Sequence, residues 1–255
     1  MKIRRKLWSW LIVIVLVLAV AVAGANIWIE RQYPYGTAAR DALVSTKTLS
    51  TTTGKVTGRL TVEQTEDAIA FIPDAPRAGF IFYPGGLVPT EAYAPLLRAL
   101  AEEGVLCVAV KMPLRLAVLD MYAADGIAAR YPDVTRWSIG GHSLGGAMAA
   151  SYAAAHTDEY EALVLLAAYS TTELPEGLSV VSIYGDQDQV MNREKYARYQ
   201  TNLPEDVQEL VISGGNHAQF GDYGHQKGDG MAAVSPEEQL TQTLQAILPA
   251  LLGQE

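Results

Sequence analysis

Six short apolar runs, GFIFY, VLCVAV, WSIGG, ALVLLAA, VVSIYG and QELVIS, constrain this chain more than any other feature. Each is bounded by turn residues and shows no polar alternation, the pattern of a strand buried on both faces, as in parallel sheets. Between most of them lie stretches with helical character: EAYAPLLRALAEEG, AVLDMYAADGIAARY, LGGAMAASYAAAH, NREKYARYQTN and SPEEQLTQTLQAILPALL. Strand and helix in alternation predict an α/β fold, a three-layer sandwich with right-handed crossovers. Ahead of it, GRLTVEQTEDAIAFIP reads as an antiparallel hairpin. In such sheets ligands gather at the carboxyl ends of the strands, so the residues just after each apolar run carry the functional information.

The N-terminus follows another logic. MKIRRK precedes an apolar stretch, Leu7 to Ile29, with no charge before Glu30. As a helix it would extend about 34 Å, enough to cross a hydrocarbon core of about 30 Å. Lys2, Arg4, Arg5 and Lys6 predict a cytoplasmic N-terminus and an exported remainder. AVAGA offers cleavage near Ala23 or Ala25, so a removed secretory signal is the alternative. The expected organisation is an anchor or signal over 1–29, a polar stalk or lead-in over 30–57, and one folded domain over 58–255. Net charge is −9 with scattered basic residues, which argues against nucleic acid as a partner. Cys107, the single cysteine, excludes an internal disulfide and sits in an apolar run as a core residue.

Gly141-His142-Ser143-Leu144-Gly145 fits Gly-x-Ser-x-Gly, with a strand read as ending at Gly140 and a small-residue helix starting at Leu144. A serine in so tight a bend projects its hydroxyl, and the helix start behind it favours developing negative charge. Gly146 and Ala147 stand where a phosphate-binding loop would need Lys and Ser or Thr. A serine hydroxyl needs a base, and the base needs a third group to fix its tautomer. His217 follows the QELVIS strand through a short loop and is favoured as base over His225, farther along that loop; His142 is expected to point away from its neighbour Ser143, and His156 to lie at the surface. Asp186 and Asp188 both follow VVSIYG and both remain open as the acid on position alone.

The order Ser143, Asp188, His217, each after a successive late strand, resembles the α/β-hydrolase superfamily, in particular its small lidless members near the dienelactone-hydrolase-like branch. The resemblance runs from about Phe71 to Leu252: GHSLGG is similar to the nucleophile elbow, YGDQD to the acid turn and GGNHAQF to the histidine loop. It implies Asp188 rather than Asp186 as the acid. It also implies that FYPGG forms the oxyanion loop, with Gly86 as donor, Leu87 in reserve and the Leu144 amide as the second donor; Tyr83 and Pro84 depart from the common His-Gly. The activity implied is ester hydrolysis through an acyl-enzyme, without metal or organic cofactor.

YSTTELPEGL leaves room only for a loop where many relatives insert a cap, so an open pocket for small or acyl-displaying substrates is expected, walled by Met112, Leu114, Phe220 and Tyr223. An acyltransferase using the same triad, or an inactive membrane-tethered binding module on this scaffold, are the alternatives. Asp222 and Asp229 in FGDYGHQKGDG lack the spacing of a calcium loop and are read as a solvated rim.

Overall fold

The computed structural model describes residues 14–17, 20–24, 27–29, 31–46, 49–51, 54–56 and 58–253. The expected anchor over 1–29 therefore lies largely outside the described residues. Residues 14–17, 20–24 and 27–29 are helical, and no helix among the described residues is long and apolar enough to cross a membrane.

Five of the six apolar runs form strands covered from both sides; the sixth, QELVIS, forms a strand at the sheet edge in which Ile212 is buried but Gln208, Glu209 and Val211 are exposed, because no neighbouring strand covers its outer side. The strands are β3 (Leu60–Gln64), β4 (Ala68–Pro73), β5 (Ala78–Tyr83), β6 (Val105–Val110), β7 (Trp137–His142), β8 (Ala162–Leu166), β9 (Ser179–Gly185) and β10 (Gln208–Ile212). They make one sheet in the order β10-β9-β8-β7-β5-β6-β4-β3, parallel from β10 to β6, with β4 and β3 antiparallel at the edge. The β3–β4 pair is the hairpin read from the sequence, in register Leu60 to Pro73. A separate antiparallel pair, β1 (Leu49–Thr51) and β2 (Gly54–Val56), precedes it.

Alternate residues of a central strand face opposite layers. Phe80 and Phe82 of β5 enter one core, packed with Leu97 and Leu100 of α2 (Ala94–Glu102) and Ile247 and Leu251 of α5 (Pro236–Leu252). Ile81 and Tyr83 enter the other, with Ala149, Ala150 and Ala153 of α3 (Leu144–Ala155). Between β9 and β10 runs α4 (Arg193–Tyr199), started by Asn192, whose side chain accepts from the Lys195 amide at 2.8 Å. Ser235 starts α5 in the same way through the Glu238 amide. Cys107 is fully buried, and burial raises its thiol pKa well above the ordinary value.

Two expectations are corrected. AVLDMYAADGIAARY is not an α-helix but a loop with short 3-10 turns at Ala117–Leu119 and Ala128–Arg130. Gly126 at φ 71° breaks any helical course, and Tyr83 takes over the hydrogen bonding. Its hydroxyl donates to the Met121 carbonyl at 2.7 Å and accepts from the Ala124 amide at 3.0 Å. Nor is the early part of the lead-in a free stalk. It contains α1 (Thr37–Ala42), whose Ala39 and Ala42 are buried, and Arg98 of α2 donates to the Ala42 carbonyl at the end of α1 and to the Val44 carbonyl just beyond it. The segment docks through backbone groups, the small side chains of Ala39 and Ala42 and the half-buried Tyr33, Tyr35 and Leu43, which are too irregularly spaced to show as a helical period.

Candidate active site

The bend that carries Ser143 is built by close approach. β7 runs two residues past the expected end, to His142, and Ser143 turns the chain into α3 at φ 52°, ψ −122°. A non-glycine residue held there costs on the order of 1–3 kcal/mol. The turn is pinned by the Ser143 amide donating to the Leu166 carbonyl of β8 at 2.9 Å, and by the Ser143 carbonyl accepting from Ala147 at 3.1 Å. Glycine is required beside it: a Cβ on Gly141 would meet the Tyr83 carbonyl oxygen at 2.5 Å, and one on Gly145 would collide with the Pro84 and Tyr83 carbonyl oxygens. The Ser143 side chain is half-exposed and makes no hydrogen bond among the described residues.

His217 and Asp188 meet across the ends of β10 and β9. His217 Nδ1 lies 2.8 Å from Asp188 Oδ2, and both residues are buried. The other carboxylate oxygen of Asp188 accepts from the Val190 and Met191 amides at 2.8 and 2.9 Å. Burial pushes the Asp188 pKa up, but the hydrogen bond and charge of His217, with the two amides, outweigh it and hold it below the ordinary value. An ionised Asp188 makes Nδ1 the protonated nitrogen and leaves Nε2 free to take a proton. Asp186 is exposed and accepts instead from the Gly214 amide at 2.8 Å. His225 is exposed, and His156 is half-buried, stacked on Tyr152 at 3.9 Å between ring centroids.

In the FYPGG loop the amides are not equivalent. Leu87, at φ 64°, donates its amide to the Arg115 carbonyl at 2.8 Å, so the expected reserve donor is already engaged. The Gly85 amide donates to the Tyr93 hydroxyl at 2.9 Å. The Gly86 amide has no partner among the described residues, and Leu144, first in α3, has no carbonyl one turn back within its helix. The two lie side by side: a Cβ on Gly86 would sit 3.2 Å from Leu144 Cδ2 and 3.9 Å from Leu116 Cδ2.

His142 was not anticipated in this company. Its ring lies 4.4 Å from that of His217, with Phe220 at 5.6 Å and Tyr223 at 6.5 Å. Nδ1 is 2.8 Å from the Tyr93 hydroxyl, while Nε2 is buried without a well-formed hydrogen bond. Burial, and secondarily the His217 charge, lower its pKa well below the ordinary histidine value, so it is neutral. Phe220 and Tyr223 are thus buried against the His142 ring, and Met112 is buried in the α3-side core; Leu114, at φ 51°, is the one of the four expected wall residues left half-exposed.

Asp222 and Asp229 are not a solvated rim. Asp229 is buried because its carboxylate collects backbone amides: Ala218 and Gly230 at 2.9 Å each, and Gln189 at 3.3 Å. It therefore ties the residue after His217 to the residue after Asp188. Asp222 accepts from the Ala39 amide at 2.8 Å and, through its backbone, fixes Gly36 and Ala92. A half-open cavity of about 420 Å³ lies behind this loop, lined in part by Leu96, Phe220, Met231 and Leu240; Ser143, Asp188 and His217 are not among its walls.

Residues 79–241 match the profile of the alpha/beta hydrolase family, and the chain belongs to that family. No curated protein compared with the chain matches it. Among solved structures it is similar to TT1662 from Thermus thermophilus, at 18% identity and a TM-score of 0.52 over 62% of this chain and 91% of that one. It is also similar to Est1E from Butyrivibrio proteoclasticus, solved with ferulic acid, at 16% identity and a TM-score of 0.55 over 76% and 96%. EstE1, a thermostable carboxylesterase from a metagenomic library, gives 15% identity and a TM-score of 0.53 over 92% and 97%. At these identities the likeness is one of fold.

Proposed function

We propose that the protein is a serine hydrolase that cleaves carboxylic esters through an acyl-enzyme. The observation that carries this reading is the buried 2.8 Å pair of His217 Nδ1 and Asp188 Oδ2, whose imidazole packs at 4.4 Å on the ring of His142, the residue before the strained turn of Ser143. His217 Nε2 takes the Ser143 proton as Oγ attacks the ester carbonyl, and Asp188 stabilises the imidazolium. The Gly86 and Leu144 amides bind the oxyanion, each worth about 3–4 kcal/mol to the transition state. His217 then protonates the departing alcohol, and water resolves the acyl-enzyme by the same route. The carboxylesterase and ferulate-bound neighbours agree with this chemistry. In the same reading the apolar stretch Leu7–Ile29 anchors the chain, and Lys2, Arg4, Arg5 and Lys6 keep its start in the cytoplasm, with the domain outside.

The test is Ser143→Ala. The variant should stay folded by circular dichroism, lose labelling by a fluorophosphonate probe, and hydrolyse p-nitrophenyl butyrate at least about 10³-fold more slowly. Labelling and turnover at the level of the parent protein would refute the assignment.

A further inference from the structure

We propose that the rim formed by residues 112–122 rests on the outer bilayer surface, so that the site takes esters presented at that surface. The inference rests on the esterase and anchor readings above and gives them a geometry. Its starting point is a contact between distant parts of the chain: the Arg115 guanidinium donates to the Ile29 carbonyl at 3.1 Å. Ile29 ends the long apolar stretch and is buried, whereas Ile27 and Trp28 just before it are exposed. No spacer separates the end of that stretch from the domain. Arg31 and Gln32 turn back onto the Trp28 and Ile29 carbonyls, Tyr33 meets the Tyr223 ring at 5.4 Å, and Gly36 donates to the Asp222 carbonyl at 2.9 Å. Where Ile29 meets the bilayer boundary, Arg115 meets it too.

The surface next to Arg115 suits that position. Val118, Leu119 and Tyr122 are 59%, 55% and 55% exposed, three of the five large exposed hydrophobics among the described residues beyond position 45. Val118 is within about 11 Å of Arg115 along the chain, at the reach of three residues. Exposed apolar groups concentrated this way mark a surface that meets another apolar phase, and interfacial segments bury such groups about 5–10 Å into the headgroup region. The same rim touches the site: Arg115 holds the Leu87 amide at 2.8 Å, and Leu116 lies against the Gly86 position. The bilayer is thus the occupant that continues from an attachment the chain already makes, and the oxyanion loop opens beside it.

The experiment uses the full chain in phosphatidylcholine vesicles. Cys107 is buried, so Val118→Cys supplies the one accessible thiol for an environment-sensitive nitrobenzoxadiazole label. Asp158→Cys, in the exposed turn before β8 at the opposite edge of the parallel strands, is the control. The label at 118 should brighten about threefold and be quenched by nitroxide-bearing lipids, and the label at 158 should do neither. A label at 118 that stays in water overturns the proposal, whether or not the chain floats with the vesicles. Brightening without lipid quenching also overturns it, because a second copy of the chain then covers the rim. Fluorescence needs no turnover, so this result is independent of Ser143→Ala. In a second arm, Val118→Ser with Leu119→Ser should leave p-nitrophenyl butyrate hydrolysis in solution unchanged and slow a vesicle-borne ester about tenfold; equal effects on both would overturn the substrate assignment.

Discussion

His142 shows how much of a site one residue can hide. Its neighbour Ser143 announces itself through Gly-x-Ser-x-Gly, but nothing near position 142 in the chain signals that Tyr93, Phe220 and Tyr223 will enclose its ring. The imidazole links the FYPGG loop to His217: Tyr93 accepts from the Gly85 amide and meets His142 Nδ1, and His142 packs on His217. A folded-state pKa below the unfolded value means that the unfolded chain binds the proton more readily, so stability is full above about pH 6.5 and declines as pH falls below it. Protonation of this one residue in the unfolded chain should cost about 1.4 kcal/mol by pH 5.5. Urea midpoints measured from pH 7.5 to 5.5 should therefore fall more steeply for the parent protein than for His142→Gln, and parallel slopes would refute the assignment.

At the scale of elements, the candidate catalytic edge is an assembly of loops held from behind. β9 and β10 are parallel neighbours, which brings their C-terminal turns together, but Asp229, more than ten residues past His217, fixes one turn against the other. Its distance from any strand makes FGDYGHQKGDG look like solvated loop in sequence; the carboxylate is buried because three amides need an acceptor. Asp229→Ala leaves those donors unpaired, at about 1–3 kcal/mol for each one that water does not reach. The expected outcome is a loss of about 3 kcal/mol in urea unfolding and at least a tenfold fall in kcat with little change in KM. Asp229→Asn, which keeps one acceptor oxygen, should recover part of both. Unchanged kinetics in a destabilised Asp229→Ala would reduce the residue to a structural clamp.

The whole molecule joins a two-sided core to a sheet edge that carries the candidate site. The connection from β8 to β9 spans only residues 167–178 and contains no helix, so no cap closes over Ser143 from that side. Without such a cover, a long acyl chain gains little burial, and butyryl esters should be cleaved at least about tenfold faster than dodecanoyl esters in solution; the reverse order in a chain-length series would contradict an open site. The amino-acid sequence by itself determined the parallel α/β sheet and the serine elbow, because those follow from local apolar runs and from turns that only glycine fits; on position alone it left Asp186 and Asp188 both open, and the preference for Asp188 came from the family resemblance. The sequence also carried the β3–β4 hairpin. Only the tertiary structure decided that residues 33–46 pack on the domain, that Leu87 is engaged by Arg115, that Asp229 clamps two loops and that His142 is buried beside His217. Those outcomes depend on which backbone donors and acceptors are left over once the sheet has formed, and that is settled by contacts between residues far apart in the chain.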